Sequence, residues 1–372
     1  MKNTLKNFIF RLEDFHAEST EIINKHISLI KEDNNSIHEK YKIINYLGSG
    51  TVGQVYLLEP ENINNDKKFV IKISNSKHQY DLKNEVQTIE NYFKEFNINH
   101  CSYPIYWGFF NNVDAIGVIY PYLGFYNLEK LKRLKYKISF KNNLSIIKQI
   151  ISQLISLKDI IHGDLKPPNV VIDFNDDKII ASIVDFGLIK KKTSTENIIS
   201  TNYITSPESL LTLDNYYNCL VNGEIIDFTK HDYYGLYAIV LNLFLQNGFW
   251  YTMKSYMVEQ VNLNSKHVIK HEAIDIFGYT YYRLFYNNHQ ELPNNSYRKL
   301  IYKIEMTYPT ISNKKFLDFD NFFKLYIAPN LDYSFFNVDK AFDFKDFLIK
   351  ICHFDPTKRL ELEQLLEHPF LN

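Results

Sequence analysis

The 372-residue sequence has little cysteine, no charge imbalance and no long apolar run, and each absence excludes a class of protein. Cys101, Cys219 and Cys352 are scattered without CxxC spacing, which argues against a disulfide framework or a zinc site and favours reduced thiols. The formal net charge of −1 gives no reason to expect nucleic acid or an anionic membrane as the main partner. The longest apolar stretch, at 234–245, is too short to span a bilayer and predicts a buried helix instead.

The first residues also lack the apolar core of a secretory signal, because charges interrupt them. Together with the unpaired cysteines, this predicts a soluble, intracellular, cytoplasmic protein. Arginine is scarce beside lysine, and Asn, Ile, Tyr and Phe are abundant, a bias typical of an AT-rich genome such as that of a large DNA virus or a protist.

The hydrophobic periodicity changes twice along the chain. Residues 1–40 carry two apolar-periodic stretches and predict a helical extension that packs on the main fold, with docking of a partner as the alternative. Residues 41–123 alternate with period two around one helical segment, and residues 124–372 are mostly helical apart from one short hairpin. The sequence thus predicts an α+β protein with a small β-rich lobe and a larger α-helical lobe.

A glycine-rich stretch, "LGSGTVGQV" at 47–55, lies between two predicted strands. A dinucleotide fingerprint needs a strand followed by a helix, and a Walker loop needs a following GK[ST], so both are excluded. Gly48, Gly50 and Gly53 would let backbone amides approach phosphates, although a plain glycine hairpin is the simpler interpretation of this stretch alone. Val55 could cover an apolar ring such as adenine.

Lys72 stands in the next strand, among the apolar residues of "FVIKI". A lysine in such surroundings must reach water or find an anion. The functional interpretation pairs Lys72 with phosphates and with a carboxylate of the following helix. Glu85 is the predicted carboxylate, and Glu90 is the alternative if the helix register is shifted.

Charged and polar residues are inserted between apolar runs in "IIHGDLKPPNVVIDF", at 160–174. Such groups are costly in a core unless they hold a partner or perform chemistry. Asp164 could orient a hydroxyl and accept its proton while Lys166 steadies a transferred phosphoryl group. Asn169 and Asp185, at the two ends of the hairpin, supply the hard oxygen ligands that suit Mg²⁺.

In this order and spacing the motifs resemble those of the eukaryotic protein kinases, over residues 41–372. "HGDLKPPN" stands where that family usually has HRDLKxxN, and "SPE" stands for APE. Asp232 begins a segment that resembles the helix supporting the catalytic loop. Arg359, in the carboxy-terminal "DPTKR", is placed to form a buried pair with Glu208.

The resemblance implies the bilobal kinase fold, with ATP and Mg²⁺ as cofactors. Lys72 would bind the α- and β-phosphates and be held by Glu85, Asp164 would be the base assisted by Lys166, and Asn169 and Asp185 would bind metal. Tyr120 would be the gatekeeper and Pro121–Leu123 the adenine hinge. The residues that the resemblance implies for binding ATP are Leu47, Gly48, Gly50, Gly53, Val55, Val70, Lys72, Glu85, Tyr120, Pro121, Leu123 and Val171.

One departure concerns regulation. Gly163 replaces the HRD arginine, as in the vaccinia-related kinases, whose catalytic loop also begins HGD. That arginine is the cationic group that receives a phosphorylated activation loop. We therefore predict activity without phosphorylation of the acceptors at 193–195.

Lys166 and Thr201 resemble the serine/threonine subgroup, which predicts a protein substrate with a Ser or Thr acceptor. The lysines at 190–192 suggest an acidic substrate, while those at 129–141 are most simply a solvated helix face. Two alternatives stay open. A pseudokinase scaffold would lose Lys72, Asp164 or Asp185, and a small-molecule phosphotransferase of the aminoglycoside-kinase type would lack the SPE and DPxxR segments.

Overall fold

The chain forms two compact units. The small unit runs to Phe125 and also contains Asp185–Gly187, and the large unit comprises Tyr126–Val184 and Leu188–Asn372. The predicted lobe boundaries at 41–123 and 124–372 stay predictions. In the computed structural model the described residues are 6–12, 22–31, 36–50, 52–62, 67–74, 76–175, 178–192, 206–211, 227–249, 252–253, 255–256, 279–280, 282–286, 289–292, 294–307, 317–331, 336 and 338–372.

The small unit is one eight-stranded sheet with a long helix, α1 (Gln79–Glu95). The spatial order of the strands is β1-β7-β8-β6-β5-β4-β3-β2. The strands are β1 (Lys6–Asn7), β2 (Ile9–Leu12), β3 (His26–Ile30), β4 (Ile37–Ser49), β5 (Gly53–Pro60), β6 (Phe69–Ser74), β7 (Tyr106–Phe109) and β8 (Ile116–Pro121).

The two ends of this sheet meet, because β1 and β2 are parts of one segment, residues 6–12. Strand β1 pairs with β7 in parallel, and β2 pairs with β3 antiparallel. The Phe8 amide donates to the Trp107 carbonyl oxygen at 2.9 Å, and a parallel bridge joins Phe10 to Phe110. The described strands therefore close on themselves as a barrel, with residues 6–12 bridging β7 and β3. We call the contact of 6–12 with β7 the seam.

The barrel is filled by the alternating side chains of its strands. Phe8, Phe10 and Leu12 are buried and Arg11 is exposed, so the segment at the seam presents every second residue inwards. Burying one such large apolar side chain stabilises a fold by about 1.5–3 kcal/mol. The buried members of this core are Phe8, Phe10, Leu12, Ile27, Leu29, Tyr41, Ile43, Tyr56, Leu58, Ile71, Phe110, Ala115 and Ile119.

The helical extension predicted for residues 1–40 is wrong for the residues that the structure describes there. Residues 6–12 and 26–30 are strands, and Ile37 already belongs to β4. The physical reason is that strands can bury two aromatic rings and a leucine inside the barrel and pair their backbones with β7 and β3. The other predicted strands of the small unit, and its helix, are confirmed.

The large unit is mainly helical. The predicted buried helix is α5 (Tyr233–Phe244), all but one of whose side chains are buried, and the predicted hairpin consists of β11 and β12. None of the described helices is both long and apolar enough to cross a membrane. The described strands of the large unit are β9 (Tyr126–Asn127), β10 (Ile160–Ile161), β11 (Val170–Asn175), β12 (Lys178–Ile183) and β13 (Lys190–Lys191). Its other helices are α2 (Leu128–Arg133), α3 (Phe140–Ser156), α4 (Pro207–Leu210), α6 (Asn295–Thr307), α7 (Phe319–Phe322), α8 (Val338–Cys352) and α9 (Leu362–Leu366).

Candidate active site

The glycine-rich stretch forms the tip of the β4–β5 hairpin, as predicted. The Gly50 amide donates to the Gly53 carbonyl oxygen at 2.9 Å and closes the turn. Space around Gly48 and Gly50 is open, since a Cβ at either position would meet nothing within 4 Å. Gly53 is different, because a Cβ there would lie 2.1 Å from the Ile73 carbonyl oxygen of β6. Gly48 and Gly50 therefore fit the expected approach to a phosphate, whereas packing of the sheet accounts for Gly53.

Lys72 is held by two carboxylates of the small unit. Its Nζ lies 2.9 and 2.8 Å from the two oxygens of Glu85 on α1 and 3.3 Å from Asp185 Oδ1. This confirms Glu85 as the predicted partner, and Glu90 pairs instead with Lys94. Burial alone would lower the pKa of Lys72, but Asp185 and Glu85 outweigh it and raise that pKa, so the ammonium group stays charged. Burial raises the pKa of Glu85, and the Lys72 charge opposes that rise.

Strand register places the predicted adenine-contacting side chains on the same face of the sheet as Lys72. Val55 lies opposite Lys72 across β5 and β6, and Val70 lies opposite Tyr120 across β6 and β8. Because residues two apart on a strand share a face, Val70 and Lys72 project to the same side. All four side chains are partly exposed, whereas Ile71, between two of them, is fully buried in the barrel.

The predicted gatekeeper and hinge lie at the end of β8. The Tyr120 hydroxyl is 3.5 Å from Glu85 Oε1, and burial raises the Tyr120 pKa well above its usual value. Pro121 pairs with Phe69 at the strand end, and Leu123 follows it, both partly buried. Leu47, at the start of the glycine-rich stretch, is also partly buried.

Asp185 has an uncommon backbone conformation. Its φ is 67°, in the left-handed region that costs a non-glycine residue strain, and its side chain is 48% exposed. The next residue, Phe186, is buried with its ring 5.5 Å from that of Phe93 on α1 and 5.0 Å from that of His100. Packing of Phe186 therefore fixes a turn that leaves the Asp185 carboxylate accessible.

In the large unit, the predicted base and its helpers lie together. Lys166 Nζ is 2.6 Å from Asp164 Oδ2, and Asn169 Nδ2 donates to the Asp164 backbone oxygen at 2.9 Å. Asp164 is partly exposed and Asn169 is buried. Val171, the remaining predicted ATP contact, follows at the start of β11 and is partly buried.

The helix cap Asp232 supports this loop, as predicted. Its Oδ2 accepts from the His162 amide at 2.7 Å and its Oδ1 from the Gly163 amide at 3.0 Å. Gly163 has φ +80°, and a Cβ there would lie 2.3 Å from the Leu188 carbonyl oxygen. The backbone of the turn before Asp164 thus requires glycine at position 163. This residue also brings no charged side chain to the loop.

Arg359 and Glu208 form the buried ion pair that the sequence predicts. Arg359 Nη1 donates to Glu208 Oε1 at 2.6 Å and Nη2 donates to Oε2 at 3.0 Å, with side chains 0% and 1% exposed. The guanidinium group also donates to the carbonyl oxygens of Lys230, His353 and Phe354. All its N–H directions point at oxygens, which offsets the cost of burying the charge.

The large unit contains a second buried link, which the sequence did not predict. His231 lies beside Ser206 and Ser209 and close to the Gly163 carbonyl oxygen. In "KHDYYGLY" the aspartate and the apolar run carry a recognisable signal, but a single histidine before them does not. Only the fold brings residues 206 and 209 to it.

Each unit contains one of the two residues that the resemblance implies for binding Mg²⁺. The described residues contain no group of three His, Cys, Asp or Glu side chains that would cage a metal ion. Mg²⁺ in phosphotransferases commonly takes only one or two protein oxygens, with waters and phosphates completing its octahedron. Asp185 in the small unit and Asn169 in the large unit offer oxygens of that kind.

Comparison with known proteins identifies the pattern. Residues 41–371 match the family model described as the protein kinase domain. A crystal structure of a kinase domain, PF14_0431, resembles the chain with a TM-score of 0.55 over 89% of this chain and 95% of that one. Since the identity is 18%, this likeness shows the fold alone.

Curated relatives match parts of the chain at low identity. The probable serine/threonine-protein kinase yakA of Dictyostelium discoideum is 28% identical over 48% of this chain and 12% of its own length. The Aurora kinase of Yarrowia lipolytica is 28% identical over 40% of this chain and 39% of its own. Serine/threonine-protein kinase D of a Synechocystis species is 24% identical over 46% of this chain and 35% of its own length. The matched region thus covers less than two thirds of each relative.

Proposed function

Because the chain belongs to the protein kinase domain family, we propose that it transfers the γ-phosphoryl group of ATP to a serine or threonine hydroxyl of a protein. The observation that carries this proposal is the charged set around Lys72, whose Nζ lies within 3.3 Å of both Glu85 and Asp185. Buried charges are costly, and hydrophobic residues in place of a buried ion pair are often no less stable. Binding of phosphate explains why the charge is kept.

The proposed chemistry assigns a task to each side chain. The Lys72 ammonium binds the α- and β-phosphates, and Glu85 fixes its direction. When bound, Mg²⁺ held by Asn169 and Asp185 neutralises charge on the phosphate oxygens. Asp164 orients the acceptor hydroxyl and takes its proton.

Lys166 stabilises the negative charge that spreads over the transferred phosphoryl group. Its ammonium group lies 2.6 Å from Asp164 Oδ2, so the base and this cation are held together before substrate arrives. Such preorganisation saves reorganisation during the reaction.

The test is a transfer assay with labelled ATP and casein, using Asp164→Asn, Lys72→Met and Asp185→Asn. Each variant should lose at least about 100-fold in turnover, because each removes charge that acts on the transition state. Lys94→Met is the matched control for Lys72→Met, since Lys94 is 51% exposed and pairs across one helix turn with Glu90. It should retain wild-type turnover. Wild-type turnover in any of the three active-site variants would overturn the role given to that residue.

The same preparation separates the proposed reaction from the alternatives. Binding of ATP without transfer in the wild-type protein would indicate a pseudokinase. Phosphorylation of an aminoglycoside but not of casein would indicate a small-molecule phosphotransferase. Acid hydrolysis of the labelled casein should yield phosphoserine or phosphothreonine, and phosphotyrosine as the main product would contradict the proposed specificity.

The lysines at 190–192 support an acidic substrate as a further part of the proposal. Lys190 and Lys191 form β13, which pairs antiparallel with β10 just before the catalytic loop. We expect peptides with aspartates beside the acceptor to have a lower KM than matched peptides with lysines there. Equal KM values would remove this preference.

A further inference from the structure

A buried histidine links the catalytic loop to the segment that carries Glu208. His231 is 3% exposed, and its Nε2 lies 3.4 Å from the Gly163 carbonyl oxygen. Its Nδ1 lies 2.9 Å from Ser206 Oγ and 2.7 Å from Ser209 Oγ. The imidazole ring therefore bridges the peptide bond that leads into Asp164 and two hydroxyls at α4.

The Gly163 partner requires a proton on Nε2. A carbonyl oxygen can only accept, so Nε2 donates to the Gly163 carbonyl oxygen, and Nδ1 forms a hydrogen bond with a serine hydroxyl, which can donate or accept. The Oγ atoms of Ser206 and Ser209 are 3.0 Å apart, so one hydroxyl can donate to the ring and the other to the first hydroxyl. Both serines are fully buried.

The surroundings of His231 fix the loop from both sides. Asp232 accepts from the amides of His162 and Gly163, and His231 binds the Gly163 carbonyl. On the other side, the Lys230 carbonyl oxygen accepts from Arg359 at 2.9 Å. The Gly163 amide belongs to the peptide that precedes this residue, and the Gly163 carbonyl belongs to the Gly163–Asp164 peptide. Asp232 and His231, two consecutive residues of one turn, therefore bind the two consecutive peptides that lead into Asp164.

We propose that His231 is a positioning residue: it holds the Gly163–Asp164 peptide in the orientation that aims Asp164, and it couples that orientation to Ser206 and Ser209. This inference rests on the proposed kinase function. His231 touches neither reacting group and acts through the backbone. It gives this chain, with glycine at 163, a hydrogen-bonded connection between the catalytic loop and the SPE segment.

The test is a mutant cycle in the full chain, with His231→Phe, Ser206→Ala/Ser209→Ala and all three changes combined. His231→Phe keeps the ring volume and removes both hydrogen bonds. It should lower kcat at least about tenfold, because small misplacements of a catalytic group have such effects. The KM for ATP should stay within about twofold, since Lys72 and the glycine-rich hairpin belong to the small unit.

The combined variant tests the coupling through the two serines more strictly. If His231 acts with Ser206 and Ser209, the combined variant should lose no more turnover than His231→Phe alone. His231→Gln, which keeps a donor and an acceptor, should recover part of kcat. The matched control is His368→Phe, since His368 is 6% exposed and binds Asp346 and the Phe370 amide. It should lower the melting temperature and leave kcat unchanged.

The proposal would be overturned by a folded His231→Phe variant with wild-type kcat. It would also be overturned if the fold-losses in kcat of His231→Phe and of Ser206→Ala/Ser209→Ala multiplied in the combined variant. If the wild-type chain transfers no phosphate, the proposed function has failed and amide hydrogen exchange decides the coupling alone. His231→Phe should then speed exchange at residues 162–164 and at Ser209, and unchanged exchange rates would refute the link. If His231→Phe does not fold, kcat and amide hydrogen exchange are measured for His231→Gln instead.

Discussion

Replacing Arg359 with alanine should destabilise the large unit strongly. The change leaves the Glu208 carboxylate buried and unpaired, with its side chain 1% exposed. Removing one partner of a buried ion pair costs about 3–5 kcal/mol. Three carbonyl oxygens also lose their bond to the guanidinium group, which places the expected cost at the upper end of that range.

This cost should be visible as a lower melting temperature. For a unit of this size each kcal/mol shifts the midpoint by about 2–4 °C, so Arg359→Ala should melt at least about 10 °C below wild type. Circular dichroism at 222 nm against temperature measures the shift. The control is Lys94→Ala, which breaks the half-exposed Lys94–Glu90 pair and should cost no more than about 1 kcal/mol.

A double variant separates pairing from simple loss of packing. Arg359→Met with Glu208→Leu removes both charges and keeps much of the volume, so it should be more stable than Arg359→Ala. An Arg359→Ala melting curve that matches the Lys94→Ala curve would refute the reasoning, because it would mean that the pair contributes no more than an exposed one.

Three further outcomes are expected. Gly108→Ala should lower the unfolding free energy of the small unit and open the seam, because a Cβ there would lie 1.6 Å from a carbonyl oxygen of residues 6–12. Gly50→Ala is the control and should leave the unfolding free energy unchanged, because a Cβ there would meet nothing within 4 Å. Equal urea midpoints for the two variants would contradict the prediction. Gly163→Ala should cost stability by about 1–3 kcal/mol from its φ of +80° alone, and an unchanged urea midpoint would count against the strain. Replacing residues 193–195, which lie outside the described residues, with alanine should leave the phosphatase-treated protein active. A tenfold loss of turnover, about 1.4 kcal/mol on the barrier, would show that loop phosphorylation is needed.

Local patterns in the sequence predicted most of the small unit and the pairing at its centre. Strands β5 and β6 and helix α1 follow from periodicity alone. Lys72 could be singled out because a charge among apolar residues requires a partner, and Glu85 lies on the buried face of α1. Glu90, one of the two candidates, is also on that helix, and only the three-dimensional structure shows it paired with Lys94.

The amino-terminal strands could not be predicted in the same way. In "FIFRL" the side chains of Phe8, Phe10 and Leu12 alternate with period two, but so short a run is also compatible with one turn of an amphipathic helix. What decides between them is pairing with β7, about a hundred residues further along the chain. The clearest trace of that pairing is Gly108, which is small because the seam passes over it.

The turn before α5 shows why a motif gives residues but not their connections. Its three consecutive residues each bind a different element: Lys230 Nζ lies 2.6 Å from the Arg359 carbonyl oxygen, His231 binds Ser206 and Ser209, and Asp232 binds two catalytic-loop amides. The kinase motif marks only the aspartate. All three contacts start from one turn at the beginning of a buried helix, so this turn joins the Arg359 region, the SPE segment and the catalytic loop. The catalytic loop, which has glycine at 163, is thus held by hydrogen bonds from this turn.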